Sequence, residues 1–253
     1  MTDVLTRPTA LPDAVVRYAA HGDGLLDVHV PSGAARGLLF LVHGGYWRAE
    51  WDRRHTRPLA EALRAEGWLV VTPEYRRTGA TGDLAGGWPA TYADVRAAVT
   101  AAPGLVAGLG LDVPQGPRVA LGHSAGGHLA LLLAADDVGL DRVVALAPVG
   151  DLHDAYRRDL DDGAAAALMG GSPATHPREY AEADPAVRLS QRPAAEVVVL
   201  HGTADPLVPV TNSDWARHNP HVELRLLDGV DHFGVIDPLS GAWPAVLAAL
   251  TGG

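Results

Sequence analysis

The chain has 253 residues, 47% of them hydrophobic and 20% charged, with a formal net charge of −10 and no cysteine. This length and composition suit a single well-packed domain, and the negative balance speaks against nucleic acid or an anionic membrane as partner. Without thiols there are no disulfides, no thiolate catalysis and no Cys-ligated metals.

The opening stretch MTDVLTRPTALPDAVVRYAA lacks the apolar run of a signal peptide. No segment approaches the roughly 18 apolar residues that span a bilayer. A soluble cytoplasmic protein is expected.

In chain order, LLDVHV (25–30) alternates as a half-buried strand, and GLLFLVHG (37–44) is continuously apolar, as a strand covered on both faces would be. TRPLAEALRAEG (56–67) reads as a helix closed by Gly67. WLVVTPEY (68–75) is a second buried strand, and WPATYADVRAAVTAA (88–102) a helix with Pro89 near its first turn. RVALGHS (118–124) is a strand running into a sharp turn, AGGHLALLLAA (125–135) a helix, and VVALAP (143–148) a strand.

Residues 149–191 are polar and broken by Pro and Gly, too long for an ordinary connection. They read as a small insertion, or lid, over the sheet edge. AEVVVLHG (195–202) resumes the strand pattern, followed by a short helix in NSDWARHN, an alternating strand in HVELRLLDG and a terminal helix in SGAWPAVLAALTG. Strands alternating with helices imply an α/β fold with a mostly parallel sheet. Ligands of such sheets collect beyond the carboxyl ends of the strands.

GHSAG (122–126) lies between a buried strand and a helix. A nucleophile on that strained turn needs small neighbours two residues either side, and it sits over a helix N-terminus that favours negative charge. Ser124 is therefore the expected nucleophile. It needs a histidine base and an acid, with the acid earlier in the chain than the histidine. Asp205 follows the strand in VVVLHGTADPLVP, and His232 follows the strand in LRLLDGVDHF. Asp231, Asp228 and Asp237 are lesser choices for the acid, and Asp231 is expected to brace its own loop. His201 reads as structural, His123 as standing behind the site, His128 as framing it, and His176, His218 and His221 as surface residues. No histidine pair with a glutamate base, no G-x-G-x-x-G after an early strand and no P-loop is present. No metal or cofactor is expected.

Acyl transfer also requires backbone N–H groups for the oxyanion, one from Ala125 and one from a loop after an earlier central strand. HGGYW (43–47) ends such a strand.

Taken together, HGGYW, GHSAGGHLA, HGTADPLVP and DHF make nearly the whole chain resemble the α/β-hydrolase superfamily. Within it the chain is most similar to the kynurenine formamidase (arylformamidase) and carboxylesterase-like group. The resemblance implies a mostly parallel sheet with helices on both faces and a small insertion after the sixth strand. It assigns oxyanion N–H groups to Gly45 and Tyr46, alongside Ala125.

It also implies a serine hydrolase acting through an acyl-enzyme on a small ester or amide, with N-formylkynurenine as first expectation. A generic short-chain carboxylesterase is the alternative, and a catalytically silent binding protein on the same fold a further one. Trp47 and Phe233 are expected in the substrate pocket, although Trp47 could equally pack beneath the oxyanion loop.

Overall fold

The computed structural model describes residues 3–252. Among these, eight strands form one sheet: β1 (Ala14–Arg17), β2 (Leu25–His29), β3 (Gly37–Val42), β4 (Trp68–Pro73), β5 (Arg118–His123), β6 (Arg142–Leu146), β7 (Glu196–Gly202) and β8 (Val222–Leu227). Their order across the sheet is β1-β2-β4-β3-β5-β6-β7-β8. β2 is antiparallel to β1 and β4, and every other neighbouring pair is parallel.

Every residue of β3 and β4 is buried, as their unbroken apolar runs require. Leu38, Phe40 and Val42 pack on one face with helices α2 (Ala90–Gly108) and α3 (Ala125–Ala135). Leu39 and Leu41 pack on the other with α1 (Arg57–Ala65) and the C-terminal helix Trp243–Thr251. Two cores on opposite faces of one mostly parallel sheet make this the α/β-hydrolase fold, as expected.

Two elements depart from the sequence reading. β1 is a four-residue edge strand whose alternate residues are exposed. A stretch that short carries little periodicity, and pairing with β2 holds it in place. The helix expected to stop at Ala102 continues through Pro103 to Gly108. An interior proline costs a helix ~3 kcal/mol, yet Ala102 and Val106 on either side of it are buried against the core, and that burial outweighs the lost hydrogen bond.

Residues 149–191 carry four short helices, α4 (Leu152–Arg157), α5 (Ala164–Met169), α6 (Pro177–Ala183) and α7 (Pro185–Arg188). Asp184 ties them together, accepting from Ala186 N at the start of α7 and from Leu152 N at the start of α4. Asn212 joins them to the main body, accepting from Gly150 N at 2.8 Å and donating to the Asp151 carbonyl at 3.0 Å. The chain closes with α8 (Asp214–Arg217), β8 and α9 (Trp243–Thr251). No helix among the described residues is long and apolar enough to cross a membrane.

One register positions the site. Val42 of β3 lies opposite Gly122 of β5, so the two strands end level. The turns that follow, at Gly44 and Ser124, are neighbours beyond the sheet's carboxyl edge.

Candidate active site

Ser124 sits between β5 and α3 with φ 56° and ψ −121°. A non-glycine residue in that region stores about 1–3 kcal/mol. The turn is held by Ser124 N donating to Leu146 O at 2.9 Å and by His128 N and Val149 N donating to the Ser124 carbonyl. The flanking glycines are there for space. A Cβ on Gly126 would fall 2.2 Å from Val42 O, and one on Gly122 would fall 2.2 Å from Gly126 O.

The loops after β7 and β8 bring Asp205 and His232 together, with His232 Nδ1 2.6 Å from Asp205 Oδ2. The other Asp205 oxygen accepts from Leu207 N and Val208 N at 2.9 and 2.8 Å. Burial alone would raise the Asp205 carboxyl, but hydrogen bonds from His201 and His232 hold it well below the usual carboxylate range. His201 is also anchored to Ser213 Oγ and Val208 O, so it backs the acid loop.

His123 Nε2 lies 2.9 Å from the His232 carbonyl, to which it donates. Burial, then the neighbouring His232, pushes its imidazole well below the ordinary value, so it holds this loop as a neutral ring. Asp231 Oδ1 accepts from Phe233 N and Gly234 N. Asp228 accepts from Thr203, and Asp237 pairs with Arg7.

Ser124 and His232 open onto one cavity of about 240 Å³. Its walls include Tyr46, Trp51, His55 and Phe233, and Asp161 from the insertion also lines it. A wider hollow of about 800 Å³ lies at the other end of the strands, around Arg36, Trp68 and Arg142. It is open and holds neither the serine nor a histidine, so the smaller cavity is the chemically competent one.

The turn after β3 is left-handed at three successive residues, Gly45, Tyr46 and Trp47, with φ of 108°, 48° and 57°. Gly45 has no room for a side chain, since its Cβ would fall 2.3 Å from that of Trp51. The turn is pinned by Thr78 N donating to Trp47 O at 2.8 Å and by the Tyr46 hydroxyl donating to Leu207 O at 2.8 Å. Backbone N–H groups of Gly45, Tyr46 and Ala125 donate to no protein acceptor among the described residues. Three unspent donors therefore belong to the two turns that meet at Ser124.

Of the two readings of Trp47, the structure favours packing over a place in the pocket. Its ring is 1% exposed and packs edge-on against His128 at 5.1 Å. The left-handed turn sends it down into the core, and it does not line the cavity. Phe233 does, edge-on to His232 at 5.3 Å. The tryptophan of the pocket is Trp51, four residues later. Neither it nor His55 stood out in the sequence. The one available signal was that a glycine at 45 needs a reason, and Trp51 is that reason.

Beneath the turn lies a buried charge network that the sequence did not disclose. His43 Nε2 is 2.8 Å from Glu74 Oε1, and Glu74 is shared with Arg53 and Arg77. Arg53 and Arg57 both pair with Asp27, and Arg77 donates to the Trp51 carbonyl. Burial works against the Glu74 carboxylate, but His43 first and then Arg77 bring its pKa down to about 2.

Asp151, His153 and Asp184 place one potential ligand atom each within 4.8 Å of one another. Asp184 spends its lone pairs on Leu152 N, Ala186 N and His153 Nδ1, the behaviour of a helix cap.

The family model described as BD-FAE matches residues 26–219. Two curated relatives come from Mycobacterium tuberculosis (strain ATCC 25618 / H37Rv). The probable carboxylic ester hydrolase LipM is 30% identical over 189 residues, 68% of this chain and 42% of LipM. Esterase LipQ is 28% identical over 232 residues, 80% of this chain and 53% of LipQ. The chain thus spans about half the length of the curated relatives it matches. Among solved structures, a Silicibacter sp. tm1040 protein thought to be a thioesterase superposes with TM-score 0.73 at 26% identity, covering 95% of this chain and 87% of that one.

Proposed function

The chain belongs to the BD-FAE family, and from that premise we propose that it is a serine carboxylesterase working through an acyl-enzyme. The observation that carries the proposal is the His232–Asp205 contact of 2.6 Å in a loop pair that shares a cavity with Ser124. In this reading His232 takes the Ser124 proton as the hydroxyl attacks an ester carbonyl, and later protonates the leaving alcohol. Asp205 holds the imidazole with Nδ1 protonated. The unspent N–H groups of Gly45, Tyr46 and Ala125 receive the oxyanion.

The insertion, through Asp161, forms part of the wall that the substrate meets. Relatives named as ester hydrolases favour an ester over a formamide. The formamide expectation rests on the likeness of HGGYW and of GHSAG with the HLA that follows it.

Two measurements test this. A fluorophosphonate probe should label the protein and fail to label Ser124→Ala; labelling that survives the substitution assigns the nucleophile elsewhere and overturns the proposal, and labelling that never occurs overturns it in favour of the silent binding protein. A panel of p-nitrophenyl acetate, p-nitrophenyl butyrate and N-formylkynurenine should then rank the esters first by kcat/KM. The reverse ranking restores the formamidase.

A further inference from the structure

In the cavity assigned above to the ester, His55 has no task in acyl transfer. It belongs to the short turn Arg53–Thr56, which is held from several sides: Arg54 N donates to Asp52 Oδ1, Arg53 N to Glu74 Oε2 and the Thr56 hydroxyl to Arg53 O. Its ring is clamped edge-to-face between His43 and Trp51, each at 5.6 Å. Its Nδ1 is buried and the Asp52 backbone hydrogen-bonds the ring, so Nε2, which is not buried and has no side-chain partner among the described residues, is the nitrogen open to the cavity. A ring nitrogen that is fixed in place, unpaired and open to a binding cavity is a hydrogen bond held ready for a ligand.

Two other polar side chains of that cavity are engaged. The Tyr46 hydroxyl is spent on Leu207 O, and Asp161 is paired with Arg48. His123 Nδ1 also lacks a partner, but it faces the Gly44 turn. Leu5, Trp51, Leu207 and Phe233 supply apolar surface.

We infer that His55 is a specificity-determining residue that hydrogen-bonds a hydroxyl group on the substrate, so that the preferred esters are hydroxylated next to the scissile bond. The inference rests on the esterase reading. Burial, then the neighbouring His43, lowers the His55 imidazole to about 4, with the Asp52 backbone acting the other way. At neutral pH the ring is therefore uncharged and does not select a carboxylate. A neutral imidazole offers one donor and one acceptor. A hydroxyl can complement whichever nitrogen faces it, whereas a carbonyl satisfies only the protonated one.

Matched ester pairs followed by proton release test this: propyl butyrate against glycerol 1-butyrate on the alcohol side, and methyl propionate against methyl lactate on the acyl side. The readout is the kcat/KM ratio of hydroxylated to plain ester, compared between the wild-type protein and His55→Phe. That comparison cancels both intrinsic ester reactivity and any loss of folded protein. In at least one pair the ratio should fall about three- to tenfold in His55→Phe, and His55→Gln, which keeps a donor and an acceptor, should restore part of it. His55→Leu gives the same comparison where phenylalanine does not fit. Ratios unchanged by loss of the imidazole in both pairs overturn the inference. Labelling of Ser124 by a fluorophosphonate alongside unchanged ratios removes the inference alone; absence of labelling removes the esterase reading and the inference with it.

Discussion

Two histidines in this molecule are gripped by a carboxylate at a strand end, His232 by Asp205 at 2.6 Å and His43 by Glu74 at 2.8 Å. Their surroundings differ. The His43 ring is stacked on Tyr75 at 4.2 Å, and its second nitrogen lies 2.8 Å from the Gly44 carbonyl. Glu74 also serves Arg53 and Arg77. His232 instead borders the cavity that holds Ser124, and among the described residues no arginine pairs with Asp205, which is held by backbone N–H groups and His201. A carboxylate–histidine pair is thus a structural tie when the ring is closed in on every side, and in the proposed function it serves to move protons where the ring borders a cavity beside the proposed nucleophile.

Substitutions at the two carboxylates separate these roles. Asp205→Asn should lower kcat about 10³- to 10⁴-fold, by analogy with other serine triads, with a small change in thermal midpoint. Glu74→Gln should do the reverse. It leaves buried arginines short of a partner, so urea unfolding should show a loss of about 3–5 kcal/mol, with a far smaller fall in kcat in the protein that remains folded. If Glu74→Gln instead abolishes turnover at unchanged stability, the contrast between the pairs is wrong.

Acid titration sharpens the same contrast. His55 and His128 both have imidazoles lowered to about 4, in each case chiefly by burial. An unfolded chain takes up protons there near pH 6.5 while the folded one does not, so the urea midpoint should decline as pH falls from 6.5 towards 4. Glu74, lowered to about 2 from an ordinary 4.5, supports the fold above pH 4.5. Its contribution should disappear as pH falls through about 2, and Glu74→Gln should flatten that lower stage alone.

The smallest effect belongs to Asp231, adjacent to His232 in sequence yet bonded to its own loop. Asp231→Asn should cost about 1 kcal/mol or less by thermal unfolding and leave kcat within a few-fold. A fall as large as that of Asp205→Asn would mean the acid has been misassigned.

Much of this arrangement could be read from the chain because it follows from local rules. GHSAG between an apolar strand and a helix, and Asp205 and His232 beyond later strands, are short-range patterns with a known spatial consequence. The Glu74–His43 pair, the His55 turn and the burial of Trp47 are long-range outcomes. Glu74 and His43 are separated by 31 positions and meet only because β3 and β4 are neighbours in register. Trp47 leaves the cavity because its backbone is left-handed, which nothing in its side chain foretells. Residues 149–191 are legible as an interruption, but the sequence does not show that Asp161 reaches the cavity and pairs with Arg48 just past the Gly44–Trp47 turn.

Gly126 has a mechanical consequence. With no side chain between α3 and the end of β3, the helix that follows Ser124 rests directly on the backbone that leads into the Gly44–Trp47 turn. Two hard surfaces in contact shift as one body, so thermal motion that loosens the insertion or the outer strands leaves the spacing between Ser124 and the proposed oxyanion donors unaltered. Hydrolysis of a small ester should persist on heating up to the cooperative unfolding transition and vanish with it, rather than fading beforehand.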